Sequence, residues 1–180
     1  MVWDVMNHQM MVWDTDTVIN NIIPFSSYDD DNEWMRKTIK LAEKAYGDNE
    51  VPVGSIVIKN NKIIGRGYNQ KEKLSDSTAH AEMIAISAAS STINDWRLID
   101  CIMYVTKEPC SMCAGAIINS RISRLVFGAY DIKKGCCGSL YQMCNDKRLE
   151  SSTVVKGGIL EEKCSDLLKN FFLLKRKKSN

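Results

Sequence analysis

The sequence is poor in histidine and has no long apolar run. Histidine occurs only twice in 180 residues, and His8 lies far upstream of His80, so a metal site around His80 must draw its other ligands from different residue types. No apolar run approaches the ~20 residues that cross a bilayer. The first residues also lack the basic-then-apolar order of a secretory signal. These absences argue against a membrane-spanning or exported protein.

The cysteine count does not suit a disulfide framework. There are seven cysteines, an odd number, and two of them, Cys110 and Cys113, have the spacing of a metal-binding pair. Stable disulfides are rare in reducing compartments, where closely spaced cysteines more often bind metals or react. We therefore expect a cytoplasmic protein.

Lysine and arginine are absent from residues 1–35, which contain seven acidic residues. The net charge of +2 therefore hides a basic body, because the remaining residues carry a net charge of +9. A basic body suits a nucleic-acid partner, although many proteins that bind no nucleic acid share it.

His80, Cys110 and Cys113 can supply three ligands to one zinc ion. Cys110 and Cys113 are three residues apart, so at the start of a helix they face the same side, and Pro109 suits such a start. Three protein ligands and one position open to water are typical of catalytic zinc, whereas structural zinc is normally closed by four ligands. We therefore predict one catalytic zinc ion per chain.

Glu82 is the candidate general base beside this site. Two thiolates cancel the formal charge of the ion, so the metal acidifies water less than a three-histidine site does, and a carboxylate is needed to take the proton. A position two residues from His80 on a helix is poor for a fourth ligand. A structural zinc site, a redox Cys-x-x-Cys pair and chance remain as alternatives, but the redox reading does not explain His80 or Glu82.

The periodicity of apolar residues predicts an α/β fold with three layers, α/β/α, around a mixed sheet of roughly five strands. We expect strands at residues 55–59, 62–67, 101–106, 124–127 and 153–155. We expect helices from a cap at Asp31 or Asn32 to Gly47, and at residues 80–91, 110–119 and 160–176. Residues 140–149 are predicted to be helical or irregular. Residues 1–31 show no sustained period of apolar residues and are predicted to form a disordered extension. Residues 32–180 are predicted to form one zinc-dependent domain that ends in a basic C-terminal tail.

From about Trp34 to Arg176 the chain resembles the tRNA-specific adenosine deaminases of the bacterial, homodimeric kind. The pattern His-x-Glu followed by Pro-Cys-x-x-Cys occurs in zinc-dependent nucleobase deaminases generally. The run Cys-Ser-Met-Cys-Ala-Gly-Ala at residues 110–116 narrows the resemblance to the tRNA enzymes. Further similar stretches lie at residues 50–54, 67–69, 78–82, 96–98, 104–106, 127–131, 138–141, 157–161 and 171–172.

The resemblance implies a cytidine-deaminase-like fold and contacts with a flipped adenosine. Asn69 would hydrogen-bond the base, Ala79 and the His80 ring would pack on it, and Asp131 would contact a neighbouring ribose. Phe171 and Phe172 would stack near the flanking nucleotides. Without the resemblance, Asn69 could be a turn residue, the two phenylalanines could be core, and Asp131 could be a solvated charge.

The resemblance further implies hydrolytic deamination of adenosine to inosine at the wobble position of tRNA. The partners would be the tRNA anticodon stem-loop and a second copy of the chain, joined through the third helix (Met112, Ala116, Ile117) and the segment after it. Deamination of a free base or nucleoside, such as guanine, cytosine or cytidine, is the alternative activity. A non-catalytic RNA-binding subunit with structural zinc is a third hypothesis, although it does not explain Glu82.

Overall fold

The helices and strands follow one another in the predicted order. The computed structural model describes residues 28–178, so the hypothesis about the N-terminal extension lies largely outside the described residues. The bounds are α1 Tyr28–Gly47, β1 Gly54–Lys59, β2 Lys62–Tyr68, α2 Ala81–Ile93, β3 Ile102–Lys107, α3 Ser111–Asn119, β4 Arg124–Ala129, β5 Val154–Lys156 and α4 Glu161–Lys178. Two short 3-10 helices, Met143–Asn145 and Lys147–Leu149, lie in the stretch predicted to be helical or irregular.

The five strands form one mixed sheet in the order β2-β1-β3-β4-β5. Strand β1 pairs antiparallel with both β2 and β3, whereas β3, β4 and β5 are parallel to one another. Strands β2, β3, β4 and β5 therefore all end at the same edge of the sheet. Residues that follow these strand ends are brought together there, which is where ligands gather in layered α/β folds.

Helices cover both faces of the sheet, which confirms the predicted three-layer fold. Successive side chains of a strand point to opposite faces, so each central strand contributes to two separate cores. One core joins the sheet to α2 and α3 through residues that include Val57, Ala85, Met103, Ala114, Ile117 and Leu125. The other joins it to α1 and α4 through residues that include Met35, Ile56, Tyr104, Val126 and Cys164.

Two glycines of β2 allow α2 to lie directly on the strand. A Cβ atom on Gly67 would lie 2.1 Å from the carbonyl oxygen of Ala81, and one on Gly65 would lie 2.3 Å from that of Ala85. No larger residue fits without moving the helix backbone. This close contact places the N-terminus of α2, and with it His80, beside the end of β2.

The structure differs from the sequence prediction at Asp31, which lies inside α1 and does not cap it. The Asp31 side chain is fully buried, and its carboxylate accepts hydrogen bonds from both terminal nitrogens of Arg124 at 2.9 and 2.8 Å. The Tyr104 hydroxyl and the Lys156 ammonium also donate to it, at 2.8 and 2.7 Å. Burial by itself would raise the pKa of Asp31, but these donors outweigh it and hold the pKa at about 2. Asp31 therefore ties α1 to strands β3, β4 and β5.

Within residues 28–178, no helix is long and apolar enough to cross a membrane.

Candidate active site

His80 and Cys110 occupy equivalent positions at the N-termini of two neighbouring helices. His80 is the N-cap residue of α2 and Cys110 that of α3, both with extended backbone angles. The Nδ1 atom of His80 lies 3.7 Å from the Sγ of Cys110 and 3.5 Å from the Sγ of Cys113. The three side chains offer ligand atoms that all lie within 4.8 Å of one another. The structure thus brings together the three residues predicted to bind the metal.

The three side chains shift one another's pKa values, which fall for Cys110 and rise for Cys113 and His80. The hydrogen bond with Cys113, together with the His80 ring, lowers the pKa of Cys110 to about 3, which favours the thiolate form. The same bond and burial raise the pKa of Cys113, and the bond to Cys110 raises the pKa of His80. Two sulfurs and one imidazole nitrogen form a donor set that zinc prefers, and zinc binding displaces the protons. The group can therefore hold a metal ion.

Glu82 lies in the first turn of α2, and only 4% of it is exposed. Burial raises the pKa of its carboxyl above the ordinary value. A carboxyl with a raised pKa can both take and return a proton near neutral pH, as a general base and acid must. Among the described residues, Glu82 is not part of the three-residue group that could hold a metal ion.

A cavity of about 460 Å³ opens over these residues. Its lining includes six of the predicted site residues, namely Asn69, His80, Glu82, Cys110, Asp131 and Phe172. Asn69 follows β2, Cys110 follows β3 and Asp131 follows β4. The cavity therefore forms because the parallel arrangement places these three strand ends at one edge of the sheet.

Four lysines also line the cavity: Lys71, Lys107, Lys133 and Lys134. They come from the loop after β2, the end of β3 and the loop after β4. Their convergence gives the cavity a cationic rim, which suits a ligand that carries an anionic group.

Asp131 is paired with Lys107 at the edge of the cavity. The Asp131 carboxylate also accepts hydrogen bonds from the backbone nitrogens of Lys133 and Lys134, at 3.0 and 3.2 Å. Burial would raise the pKa of Asp131, but the bond and charge of Lys107 and these two donors lower it. The contacts therefore fix the position of the Asp131 side chain, and its lowered pKa favours the ionised form. Because Asp131 also lines the cavity, it can contact a ligand there.

Glu108 is a buried residue whose role the sequence analysis did not recognise. Its carboxylate accepts hydrogen bonds from the backbone nitrogens of Asp131, Cys137 and Ser139, at 2.9, 3.0 and 2.8 Å, and from the Ser139 hydroxyl. Gly135 passes so close that a Cβ there would lie 2.2 Å from the carboxyl group. Glu108 therefore ties the loop after β4 to the segment that leads into Cys110. Its position two residues before the candidate ligand Cys110 was the sequence feature that could have indicated a role near the site.

Glu50 is the second buried carboxylate that the sequence analysis missed. It is 1% exposed, and it accepts a hydrogen bond from the side-chain nitrogen Nδ2 of Asn69 at 3.1 Å. Backbone nitrogens of Glu72 and Lys73 donate to it at 3.3 and 2.7 Å. Glu50 therefore links Asn69 to the loop that leads towards His80. Glu50 lies four residues before β1, and nothing in its local sequence indicates that its side chain is buried.

The other predicted site residues lie in different environments. Phe172 is 45% exposed and lines the cavity. Phe171 is 6% exposed and packs edge-to-face on Tyr46 of α1 with ring centres 5.7 Å apart, so the structure does not bring it to the cavity. Ala79 is buried directly before His80, and its carbonyl oxygen accepts a hydrogen bond from Gln70 at 3.0 Å.

Comparison with known proteins gives consistent matches. Residues 29–176 match the family model of MafB19-like deaminases. The chain is 43% identical over 148 residues to a tRNA-specific adenosine deaminase of Bacillus subtilis, covering 82% of this chain and 92% of that protein. It is 44% identical over 147 residues to the enzyme of the same name from Haemophilus influenzae, covering 81% and 85% of the two chains.

Two solved structures superpose on this chain. A structure from a study of A-to-I editing by tRNA:A34 deaminases at the wobble position of transfer RNA superposes with a TM-score of 0.73 and 34% identity, covering 76% of this chain and 99% of the other. A guanine deaminase from Nitrosomonas europaea superposes with a TM-score of 0.67 at 24% identity, covering 76% and 81% of the chains, and shares the fold.

Proposed function

The chain belongs to the tRNA-specific adenosine deaminases, and from this premise we propose that it converts adenosine to inosine at the wobble position of tRNA. The observation that carries the proposal is that His80, Cys110 and Glu82 line one cavity with a cationic rim, and that Cys113 is grouped with His80 and Cys110 in a set that could hold a metal. A cavity of this size is within the range that holds a small ligand such as a nucleoside.

We propose zinc as the metal, held by His80, Cys110 and Cys113. The donor set fits this ion, because two sulfurs and one imidazole make three ligands of a tetrahedral site and leave one position for water. The ion would supply Lewis acidity that activates the attacking water. With two thiolate ligands the site is close to neutral, so proton transfer falls to a protein carboxyl.

Glu82 is that carboxyl. It would take the two protons of the water that adds to C6 of the adenine one after the other, and deliver the first to the ring nitrogen N1 and the second to the amino group that leaves as ammonia. Burial favours this cycle, because it raises the pKa of Glu82 and so favours the protonated form that must return the proton. The fixed N-terminus of α2 holds the carboxyl beside His80.

The surroundings of the cavity favour a nucleic-acid substrate over a free base. Asn69 offers amide groups to the base, and Phe172 offers an exposed ring on which a base can stack. Lys71, Lys133 and Lys134 can neutralise phosphates on either side of the reacting nucleotide. A free base carries no phosphate and would leave these lysines without a ligand.

We also propose a homodimer in the cytoplasm, as the resemblance implied and the cysteine content predicted. The face of α3 differs from the sequence expectation, since Ile117 is fully buried in the core while Met112 and Ala116 remain partly exposed. Large apolar side chains are exposed in the segment after β4, at Tyr130, Ile132, Leu140 and Tyr141. This segment, next to the cavity loop, is the surface through which a second copy would pack.

The deciding experiment is incubation of the purified, zinc-loaded protein with total tRNA, followed by detection of inosine at the wobble position. Adenosine, guanine, cytosine and cytidine are tested in parallel at the same enzyme concentration. Inosine in tRNA with no ammonia release from the four small substrates supports the proposal. Deamination of a small substrate without inosine in tRNA would replace it with the alternative activity, and absence of both would favour an RNA-binding subunit.

A further inference from the structure

Glu50 makes a set of hydrogen bonds that reaches the substrate-binding cavity. Its Oε2 atom accepts from Nδ2 of Asn69 at 3.1 Å and from the backbone nitrogen of Glu72 at 3.3 Å. Its Oε1 atom accepts from the backbone nitrogen of Lys73 at 2.7 Å. Glu50 itself does not line the cavity, whereas Asn69 does. Glu50 can therefore act on a ligand only through Asn69 or through the loop that contains Glu72 and Lys73.

The bond to Glu50 decides which way round the Asn69 amide lies. A side-chain amide has a donor nitrogen and an acceptor oxygen of nearly equal size, so packing alone does not distinguish its two orientations. An ionised carboxylate only accepts hydrogen bonds. Turning the amide over would place Oδ1 of Asn69 against Oε2 of Glu50, where two acceptors would face each other in a buried position. Glu50 therefore excludes that orientation.

We propose that Glu50 is a positioning residue that fixes the edge of the Asn69 amide presented to the reacting adenine, an inference that rests on the proposed function. Because the amide is planar, directing Nδ2 to Glu50 leaves Oδ1 and the second N–H for a ligand. Adenine has a matching edge, since its 6-amino group donates and its N7 accepts, and asparagine pairs with both. The inverted amide would present a mismatched edge.

An alternative role for Glu50 is purely structural, since it also holds the loop through Glu72 and Lys73. The two roles differ when both partners are changed. In Asn69→Asp, two carboxylates face each other and the pairing is lost. In Glu50→Gln with Asn69→Asp, the glutamine nitrogen can donate to one oxygen of the aspartate and leave the other oxygen as an acceptor for the adenine amino group, while the 3.3 Å bond from the backbone nitrogen of Glu72 is lost. A structural role predicts no such recovery.

The experiment measures kcat/KM for inosine formation in tRNA with wild type, Glu50→Gln, Asn69→Asp and the double variant, all loaded with zinc. Glu50→Gln should lower kcat/KM by roughly 10- to 150-fold, the ratio expected when a hydrogen bond to a charged group is lost. The double variant should be at least about tenfold more active than Asn69→Asp, by the same reasoning. Glu72→Gln is the matched control, because its side chain is exposed, and it should retain wild-type kcat/KM.

A double variant no more active than Asn69→Asp overturns the proposal, provided that its melting temperature and zinc content equal those of the single variants. The resonance of the Asn69 side-chain amide in nitrogen-15 NMR spectra gives a readout that needs no activity. It should shift in Glu50→Gln and stay unchanged in Glu72→Gln. If the wild type forms no inosine, the proposed function fails, and this resonance alone then decides whether Glu50 orients Asn69.

Discussion

Replacing Glu82 by glutamine should separate metal binding from catalysis. The ligand group consists of His80, Cys110 and Cys113, so the variant should keep one zinc ion per chain. Glutamine has nearly the same volume as glutamate, so the 4% exposed position should not collapse. The variant lacks only the group that takes and returns the proton.

The size of the loss follows from the role of Glu82. General acid–base catalysis by a positioned side chain contributes about 10²- to 10⁴-fold, which corresponds to a barrier change of roughly 2.7–5.4 kcal/mol. Because the site is nearly neutral with two thiolate ligands, the metal cannot replace the carboxylate, and we expect a loss near the upper end. Since burial raises the pKa of Glu82, the ionised carboxylate is disfavoured in the fold, and the variant should melt at the same temperature as wild type or higher.

The assay is single-turnover formation of inosine at saturating tRNA, with zinc measured by elemental analysis and the melting temperature recorded for each sample. Glu162→Gln on the exposed surface of α4 is the matched control and should behave as wild type. Turnover of Glu82→Gln within threefold of wild type would refute the assigned proton transfer. Loss of zinc from the variant would instead show that Glu82 belongs to the ligand set.

Four further predictions follow from the same structure. Cys113→Ala should lose zinc, activity and thermal stability together, because binding of the metal stabilises the fold, and retention of stoichiometric zinc would contradict the ligand assignment. Asp31→Ala should lower the free energy of unfolding by about 3–5 kcal/mol in urea titrations, because buried Arg124 loses its carboxylate. In wild type, the part of the stability that depends on ionisation of Asp31 should be complete above pH 3.8 and disappear as the pH falls through about 2. Truncation after Leu174 should reduce the slope of log tRNA affinity against log salt concentration by about 0.7–0.9 per lost phosphate contact, with little change in activity at saturating RNA. Phe172→Ala should lower activity even at saturating RNA, because it loses stacking worth about 1–3 kcal/mol. An unchanged slope would contradict the role of the tail, and full activity of Phe172→Ala would contradict the role of the ring. Sedimentation at micromolar concentration should show a homodimer, and a fully active monomer would exclude it.

The periodicity of the chain was enough to predict the sheet and its covering helices, because apolar spacing depends only on the local geometry of strands and helices. Most strand and helix ends lie within two residues of their predicted positions, whereas α1 begins at Tyr28, before the predicted cap at Asp31 or Asn32. His80 and Cys110 proved to be N-cap residues directly before α2 and α3, not the first helical residues. The start of the chain was predicted less well, since Asp31 reads as a cap in sequence but serves as a buried partner of Arg124. That contact joins residues 93 positions apart, which no local pattern reports.

Phe171 and Phe172 show why adjacent residues with the same chemistry could not be assigned from the sequence. Successive positions of a helix point about 100° apart, so only the way α4 docks on the sheet decides which ring is buried. Phe171 packs on Tyr46, and Phe172 faces the cavity.

The sequence was enough to predict the candidate reactive groups, because a possible metal ligand set and a neighbouring carboxylate depend on residue type and short spacing: His80 with Glu82, and Cys110 with Cys113. Tertiary structure alone decided what surrounds them. The parallel strand ends bring Asn69 and the lysine-bearing loops to one edge, and the buried carboxylates of Glu50 and Glu108 hold those loops there. These contacts cross the sheet or connect loops far apart in the chain, so they exist only once the strand order is set.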